Sequence, residues 1–313
     1  MLTQPLQLIP EYREYVWGGA RLRPDIIPTA EAWVVYAGDR VAAGPYAWQT
    51  LAELAEEFGA ELLGRRAVEK TGDRFSVLVK LLDCAEWLSL QVHPNDEQAV
   101  ALEGVGFFGK TEAWHILEAA QGSELIAGMK PGISAELLAN SIRNGTILDT
   151  VQKLEVKSGD TLFMSPGTIH ALGPGLLIYE IQQTSDLTYR VYDWGRPQTE
   201  TRKLHIDKAL AVSRPDMVGT VLPAIQPVDG EVQVLSRCQY FTLESIFAKE
   251  KTVRLDPKGE SFHALTVIEG EAKIIVDGTS QHLQRFDTVV IPAACSAYQL
   301  QPVGGCRVLK AGV

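Results

Sequence analysis

Short apolar runs interrupted by glycine and proline dominate this chain of 313 residues. Over residues 158–175, and again from residue 269 onward, segments of strand length alternate with turns that contain Gly or Pro. Strands spaced by about 8–12 residues with glycine-rich turns are typical of β-sandwiches and jelly rolls. The sequence therefore predicts a mainly β fold.

Two stretches of the chain are similar to each other. GDTLFMSPGTIHAL (159–172) and FDTVVIPAACSAYQL (286–300) share an Asp-Thr pair, an apolar run, a proline and a small or polar pair. Internal similarity indicates a repeated structural unit, and a chain of this length is long for one domain. We predict two related jelly-roll domains, residues 1–232 and 233–313, with a linker over 220–231 that contains Pro and Gly.

Three segments carry helix signals, and we expect them as connections within the first domain. Thr50 and Glu53 have the spacing of a capping box, and Ser134 is a typical N-cap residue. The predicted helices lie near residues 50–66, 95–103 and 134–145.

Composition excludes several classes of partner. The net charge of −10 disfavours nucleic acid and anionic membranes, although a few local cations could still bind a small anionic substrate. No uncharged apolar run reaches the length of a membrane span. The four cysteines show no CxxC spacing, which predicts reduced thiols in a soluble cytoplasmic protein. The charge sets no oligomeric state.

The segment LSLQVHP (88–94) alternates apolar and polar residues like a half-buried strand. Its polar face carries Ser89, Gln91 and His93, three neutral side chains where a surface strand more often has charged ones. Taken singly, Gln91 or His93 is explained more simply by a strand whose polar face meets solvent. Pro94 ends the strand, because proline cannot donate to the ladder.

Two other residues, Glu112 and His170, have side chains that could act together with Gln91 and His93. Glu112 shares a strand face with Trp114, and a buried carboxylate needs a cation, either lysine or a metal. His170 follows a Ser-Pro-Gly turn at the start of a predicted strand, whereas His115 points to the other face and is interpreted as structural.

Together, Gln91, His93, Glu112 and His170 offer an amide oxygen, a carboxylate and two imidazoles. This set suits Zn²⁺, while Mn²⁺, Fe²⁺ and Co²⁺ are chemically possible. With a position open to water or substrate, the site would be of the catalytic type. A further candidate is Arg190, which lies among tyrosines in a polar and aromatic segment and is suited to anchor an anion or a hydroxyl group.

The motifs LSLQVHP, GKTEAW, GTIHAL and EIQQTSDLTYRVYDWGR resemble, in order and spacing, those of type I phosphomannose isomerases in their shorter bacterial form. The resemblance covers residues 10–313 and implies a cupin-type fold, one zinc ion per chain and interconversion of D-mannose 6-phosphate and D-fructose 6-phosphate. It places the zinc ligands on Gln91, His93, Glu112 and His170. It places the active-site basic residues, catalytic and substrate-binding, on Lys110 and Arg190, and it puts Ser89 near the substrate phosphate.

The family's reaction moves a proton between C1 and C2 of the sugar through an enediol. Lys110 is the candidate general base, and a metal-bound hydroxide is the alternative. Arg190 suits electrostatic stabilisation.

The second domain departs from the cupin pattern. Ser261, Phe262 and His263 stand where an HxH pair is expected, and Ala297 stands where a metal-binding histidine is expected. His263 and His282 alone cannot form a tetrahedral site. We therefore predict a degenerate cupin domain without a metal.

Two other functions remain open at this point. The chain could be a sugar-phosphate-binding cupin without turnover, or another metal-dependent cupin enzyme such as a dioxygenase, for which two histidines and one glutamate suit Fe²⁺.

Overall fold

The computed structural model describes residues 2–200 and 202–313, and most of its regular structure is strand. The predicted mainly β class is confirmed. The strands are β1 (Leu6–Ile9), β2 (Glu11–Arg13), β3 (Glu31–Val35), β4 (Arg40–Val41), β5 (Val77–Cys84), β6 (Leu90–Val92), β7 (Glu112–Ala119), β8 (Glu124–Met129), β9 (Val151–Glu155), β10 (Thr161–Met164), β11 (His170–Leu172), β12 (Leu176–Gln183), β13 (Tyr189–Tyr192), β14 (Thr220–Leu222), β15 (Val232–Arg237), β16 (Thr242–Ala248), β17 (Val253–Leu255), β18 (His263–Val276), β19 (Thr279–Leu283), β20 (Thr288–Ile291) and β21 (Tyr298–Gly312).

Helices lie in each of the three segments where the sequence indicates them. They are α1 (Leu51–Phe58), α2 (Ala60–Leu63), α3 (Arg65–Thr71), α4 (Asp96–Glu103), α5 (Ala135–Arg143) and α6 (Ile206–Val212), with a 3₁₀ turn at Ile147–Asp149. The capping box of Thr50 and Glu53 is formed. The first segment is broken into three helices at Gly59 and Gly64, and α6 was not predicted. Within the described residues, no helix is long and apolar enough to cross a membrane.

By its contacts the chain divides into two compact units, each made of separate segments. Unit 1 comprises residues 1–11, 33–80 and 225–313, and unit 2 comprises residues 12–32 and 81–224. This division differs from the predicted single boundary at 232, because residues 33–80 group with the C-terminal strands. The predicted linker also contains a strand, β14, which pairs with β10.

Unit 1 is built on a nine-stranded sheet that joins the two ends of the chain. Its main path is β15-β16-β21-β18-β20-β1-β4, so the N-terminal β1 pairs with β20. The helices α1–α3 belong here, because backbone hydrogen bonds join Leu63 to Phe262 and Arg65 to Gly259. Gly64 has a φ of +88°, and a Cβ there would lie 2.4 Å from the backbone of Glu260. Only glycine permits this approach.

Unit 2 contains the strands that carry the predicted site residues. A five-stranded sheet has the order β13-β6-β11-β8-β9, and a second sheet includes the path β14-β10-β7-β12. Buried apolar side chains of this unit form two clusters, one around Trp114 and Ile178 and one around Leu90 and Ile126. Burial of this apolar surface holds the strands in register and fixes their ends.

Candidate active site

The turn between β10 and β11 holds two histidines in place. His93 directly follows β6, and His170 opens β11. The backbone N–H of Gly167 donates to the carbonyl oxygen of His93 at 2.9 Å. Gly167 has a φ of +86°, and a Cβ there would lie 2.7 Å from the side chain of Arg214. The Pro-Gly turn therefore ties the end of one strand to the start of the other.

Backbone carbonyls fix the tautomer of both rings. The Nδ1 atom of His93 lies 2.7 Å from the carbonyl oxygen of Leu187, and Nδ1 of His170 lies 2.9 Å from that of Thr168. Since a carbonyl only accepts hydrogen bonds, each Nδ1 carries the hydrogen and each Nε2 keeps a lone pair. Burial, with a smaller effect of the Lys110 charge, lowers the pKa of His170 to about 4, so the ring is neutral at neutral pH.

Glu112 brings a carboxylate to these two lone pairs. It opens β7 and is fully buried. Its Oε1 lies 3.2 Å from Nε2 of His170, and its Oε2 lies 3.6 Å from Nε2 of His93. One ligand atom from each of the three residues lies within 4.8 Å of the others.

Gln91 completes the group through strand register. It pairs with His170 across β6 and β11, and its Nε2 lies 3.3 Å from Nε2 of His170. A half-turn of the amide would exchange nitrogen for oxygen at this place, and the oxygen is the ligating atom of glutamine.

Lys110 supplies the cation that the buried carboxylate requires. Its Nζ lies 2.6 Å from Oε2 of Glu112 and 3.3 Å from Nε2 of His93. A second buried carboxylate, Glu180, lies 3.8 Å from the same Nζ and accepts a hydrogen bond from Trp114 at 2.9 Å. The ammonium group therefore lies between two carboxylates, and all three side chains are buried.

The donor set of this cluster fits a metal ion. Two neutral imidazoles with Nε2 lone pairs facing one carboxylate are the ligands that Zn²⁺ and related divalent ions prefer. The backbone carbonyls behind both rings are the outer hydrogen bonds that commonly orient metal-binding histidines.

Arg190 lies beside this cluster on β13, paired with Gln91 in the ladder. Its Nη1 donates to the carbonyl oxygen of Lys203 at 3.1 Å, while its buried Nε has no hydrogen-bond partner within the described residues. Burial, and secondarily the nearby Arg202, lowers its pKa. An unsatisfied guanidinium donor is suited to bind a ligand oxygen.

Sequence reasoning missed the residue that holds Arg190. The ring Nδ1 of His205 accepts a hydrogen bond from the backbone N–H of Arg190 at 3.2 Å, and the backbone N–H of His205 donates to the Arg190 carbonyl at 2.8 Å. No local sequence pattern predicts this pairing, because His205 lies in an irregular segment before α6. The involvement of Glu180 was missed as well.

The structure thus brings together Gln91, His93, Glu112, His170 and Lys110, with Arg190 adjacent. The simpler interpretation of a solvated polar face is wrong, because Ser89 and His93 are buried. Ser89 lies immediately before β6, and its place near a substrate phosphate stays a prediction. His115 is outside the cluster and its Nδ1 lies 2.9 Å from the hydroxyl of Thr161.

The mainly β fold and the buried group of two imidazoles and a carboxylate are consistent with a cupin-like protein that has a metal-type site. Residues 6–106 match the family model described as phosphomannose isomerase type I, catalytic domain. The chain is 34% identical over 313 residues to a mannose-6-phosphate isomerase of Streptococcus mutans, with 95% of each protein covered. It is 33% identical over 321 residues to one of Bacillus subtilis, with 98% of this chain and 99% of the relative covered.

Among solved structures, the mannose 6-phosphate isomerase of Bacillus subtilis matches with a TM-score of 0.84 and 30% identity, over 99% of this chain and all of the other. The chain therefore belongs to the type I phosphomannose isomerase family, and it is an enzyme.

Proposed function

We propose that this enzyme interconverts D-mannose 6-phosphate and D-fructose 6-phosphate with the help of one zinc ion. The observation that carries the proposal is the buried ammonium of Lys110, 2.6 Å from Glu112 and beside two neutral imidazoles. An aldose–ketose isomerase needs such a pairing of a proton-transferring group with a cation-binding cluster. The identity to mannose-6-phosphate isomerases over nearly the full chain supports the choice of substrate.

The residues that would hold the zinc ion are His93, His170, Glu112 and Gln91. When bound, the ion supplies a Lewis acid that stabilises negative charge on a sugar oxygen. The side chains fit this role because both imidazoles are turned with Nε2 toward Glu112, as described above. The choice of zinc among the possible divalent ions rests on the family resemblance and on the preference of Zn²⁺ for small sets of nitrogen and oxygen ligands.

Lys110 is the group that we assign to proton transfer between C1 and C2. Its Nζ can exchange protons with the substrate, while Glu112 and Glu180 hold it in position from two sides. Since proton transfer requires hydrogen-bond reach, the reacting carbons must lie next to Nζ of Lys110.

Arg190 and Ser89 are assigned to the substrate. The free Nε donor of Arg190 would bind a substrate oxygen that becomes negative, and the charge of the guanidinium persists throughout the working pH range. Ser89, two residues from Gln91 on the same strand face, is assigned to the phosphate end of the sugar.

These residues all fall within the segment 1–232 that we propose as catalytic. Residues 233–313 are proposed as a degenerate cupin domain without a metal, which is supported by the hydrogen bond of 2.8 Å between Nδ1 of His263 and the hydroxyl of Tyr298. The four cysteines are free, which supports a reducing compartment and so a cytoplasmic location.

The decisive experiment is a coupled assay of mannose 6-phosphate isomerisation, with and without a chelator, together with a metal analysis of the purified protein. We expect activity that is lost with the chelator and restored by Zn²⁺, with one ion per chain. An inactive protein that binds the sugar phosphate would show a binding protein, and oxygen consumption would show a different cupin enzyme.

Turnover in D₂O tests the proton transfer. We expect deuterium on carbon in the product, because a proton held by Lys110 exchanges with solvent between transfers. A product that retains all of its carbon-bound hydrogen would show a hydride shift and remove Lys110 from this role.

A further inference from the structure

A pocket of about 250 Å³ lies in unit 1, built only from residues of that unit. Its lining includes His263, Arg237, Lys258, Thr242 and Ser261. None of these residues takes part in the cluster described above. The pocket lies at the start of β18 and near β15, so regular strands hold its floor.

The floor of the pocket is a buried histidine with one nitrogen unused. His263 is only 9% exposed, and its Nδ1 lies 2.8 Å from the hydroxyl of Tyr298, which is 1% exposed. The buried hydroxyl has no other hydrogen-bond partner among the described residues, so it donates to Nδ1. The ring's hydrogen is then on Nε2, which has no partner in that part of the chain. His263 therefore offers an N–H donor to the pocket.

The ring remains neutral in this setting. Burial, and to a lesser degree the charge of Lys310, lowers the pKa of His263 to about 3. The donor is thus a neutral N–H at physiological pH and needs no counter-ion of its own.

The acidic residues around the pocket already have partners. Glu244 is paired with Lys310, and Glu260 is paired with Arg65. Asp256 accepts a hydrogen bond from the backbone N–H of Lys258 at 2.9 Å. None of these contacts involves the side chain of Arg237 or the ammonium group of Lys258.

Two cations at the pocket have no such partner. The side chains of Arg237 and Lys258 form no ion pair within residues 2–200 and 202–313, and both residues are exposed. Arg66 also lines the pocket, but its guanidinium group already has partners. Its Nη1 donates a hydrogen bond to the backbone oxygen of Val313 at 3.3 Å, and its Nη2 lies near the carboxylate of Glu260. An N–H donor below and two uncompensated cations at the mouth fit a small anion.

We propose that this pocket of unit 1 binds a phosphorylated small molecule, with its phosphate group between Arg237, Lys258 and Nε2 of His263. The volume is sufficient for a phosphate monoester with a small polar body, whose hydroxyl groups would meet Thr242 and the floor. The proposal does not depend on the isomerase reaction, because it uses none of the residues assigned to it.

The test follows His263 directly by NMR of histidine-labelled, zinc-loaded enzyme during titration with inorganic phosphate and with D-mannose 6-phosphate. The His263→Gln variant assigns the signal by its disappearance. We expect the His263 resonance to shift and saturate with either probe. A resonance that stays in place throughout both titrations would overturn the proposal.

The double variant Arg237→Gln, Lys258→Gln provides the matched control. Both side chains are exposed, so the substitutions should leave folding intact. We expect the affinity measured at His263 to fall by roughly tenfold or more, while the Arg190→Gln variant leaves it unchanged. Equal affinity in the double variant and the parent would show that the phosphate is not held by these two cations, and the site would be rejected. Active-site histidine signals that still respond to D-mannose 6-phosphate in the double variant would keep this outcome separate from a failure of the proposed isomerase function.

Discussion

The two units place different chemistry on the residues that open their strands. In unit 2, Glu112 opens β7 and His170 opens β11, and these side chains meet 3.2 Å apart. In unit 1, His263 opens β18 and Tyr298 opens β21, and they meet through a hydrogen bond of 2.8 Å. A carboxylate facing imidazole lone pairs can bind a metal, whereas a phenol that occupies Nδ1 of a single imidazole cannot. Residues that open strands therefore form two different kinds of site in this chain, and the chemistry follows the side chains at these positions.

A lysine–glutamate pair occurs in each unit, but the two pairs differ in burial and surroundings. Lys110 and Glu112 are almost fully buried and lie beside two imidazoles, whereas Lys310 and Glu244 keep 14% and 17% of their side chains exposed. An ion pair that retains contact with water is screened, and it mainly supports structure. The pair in unit 2 is both more costly to bury and better placed for chemistry.

The largest expected effect is that of removing a proposed metal ligand from unit 2. His170→Ala should lose bound zinc and lower kcat/KM by roughly 1,000-fold or more, because a lost ligand opens the cluster. The control is His282→Ala in unit 1, where the exposed histidine is paired with Glu271. This variant should keep both the bound zinc and the parent value of kcat/KM. Metal content and isomerase rate measure this contrast, and an active His170→Ala enzyme without metal would end the site proposal.

The two lysine–glutamate pairs can be broken in parallel. Lys110→Met should lower kcat by roughly 100-fold or more while zinc is retained, because the group that carries the proton is gone. Lys310→Met should cost roughly 1 kcal/mol of stability, as expected for a partly exposed pair, and leave kcat near its parent value. Steady-state kinetics and denaturant unfolding separate the two effects. Full activity of Lys110→Met would exclude Lys110 from proton transfer.

His205 should act on the rate through Arg190. His205→Phe removes the acceptor for the Arg190 backbone and should lower kcat/KM by roughly tenfold, as for the loss of one positioning hydrogen bond. His205→Asn, whose side-chain oxygen can accept the same bond, should recover most of this loss. If both variants behave alike, the ring serves packing only and Arg190 is held by other contacts.

The smallest effect concerns acid stability in unit 1. The pKa of His263 is lowered by burial to about 3, so between pH 6.5 and 3 the unfolded chain binds a proton that the folded chain does not. This residue therefore makes stability fall as the pH falls through that window. His263→Gln, compared with the parent by thermal unfolding from pH 7 to 4, should show a shallower decline. An identical slope would mean that the ring protonates without cost.

Much of the metal-type site could be predicted because its signals are local. The alternation in LSLQVHP places Gln91 and His93 on one strand face, and the Ser-Pro-Gly turn predicts that a strand begins at His170. The need of a buried Glu112 for a cation follows from elementary electrostatics, and Lys110 meets it. The capping box before α1 could also be predicted from the sequence, since it depends on two residues only three positions apart.

The remaining features depend on contacts between distant segments. The ligand types, the strand-forming pattern and the helix starts were determined by the sequence, because side-chain chemistry and hydrophobic period belong to short stretches. Only the tertiary structure decided that residues 33–80 group with the C-terminal strands, that His205 holds Arg190, and that Tyr298 takes up Nδ1 of His263. Such pairings are selected by packing over the whole chain, and no local pattern encodes which distant partner a strand end will meet.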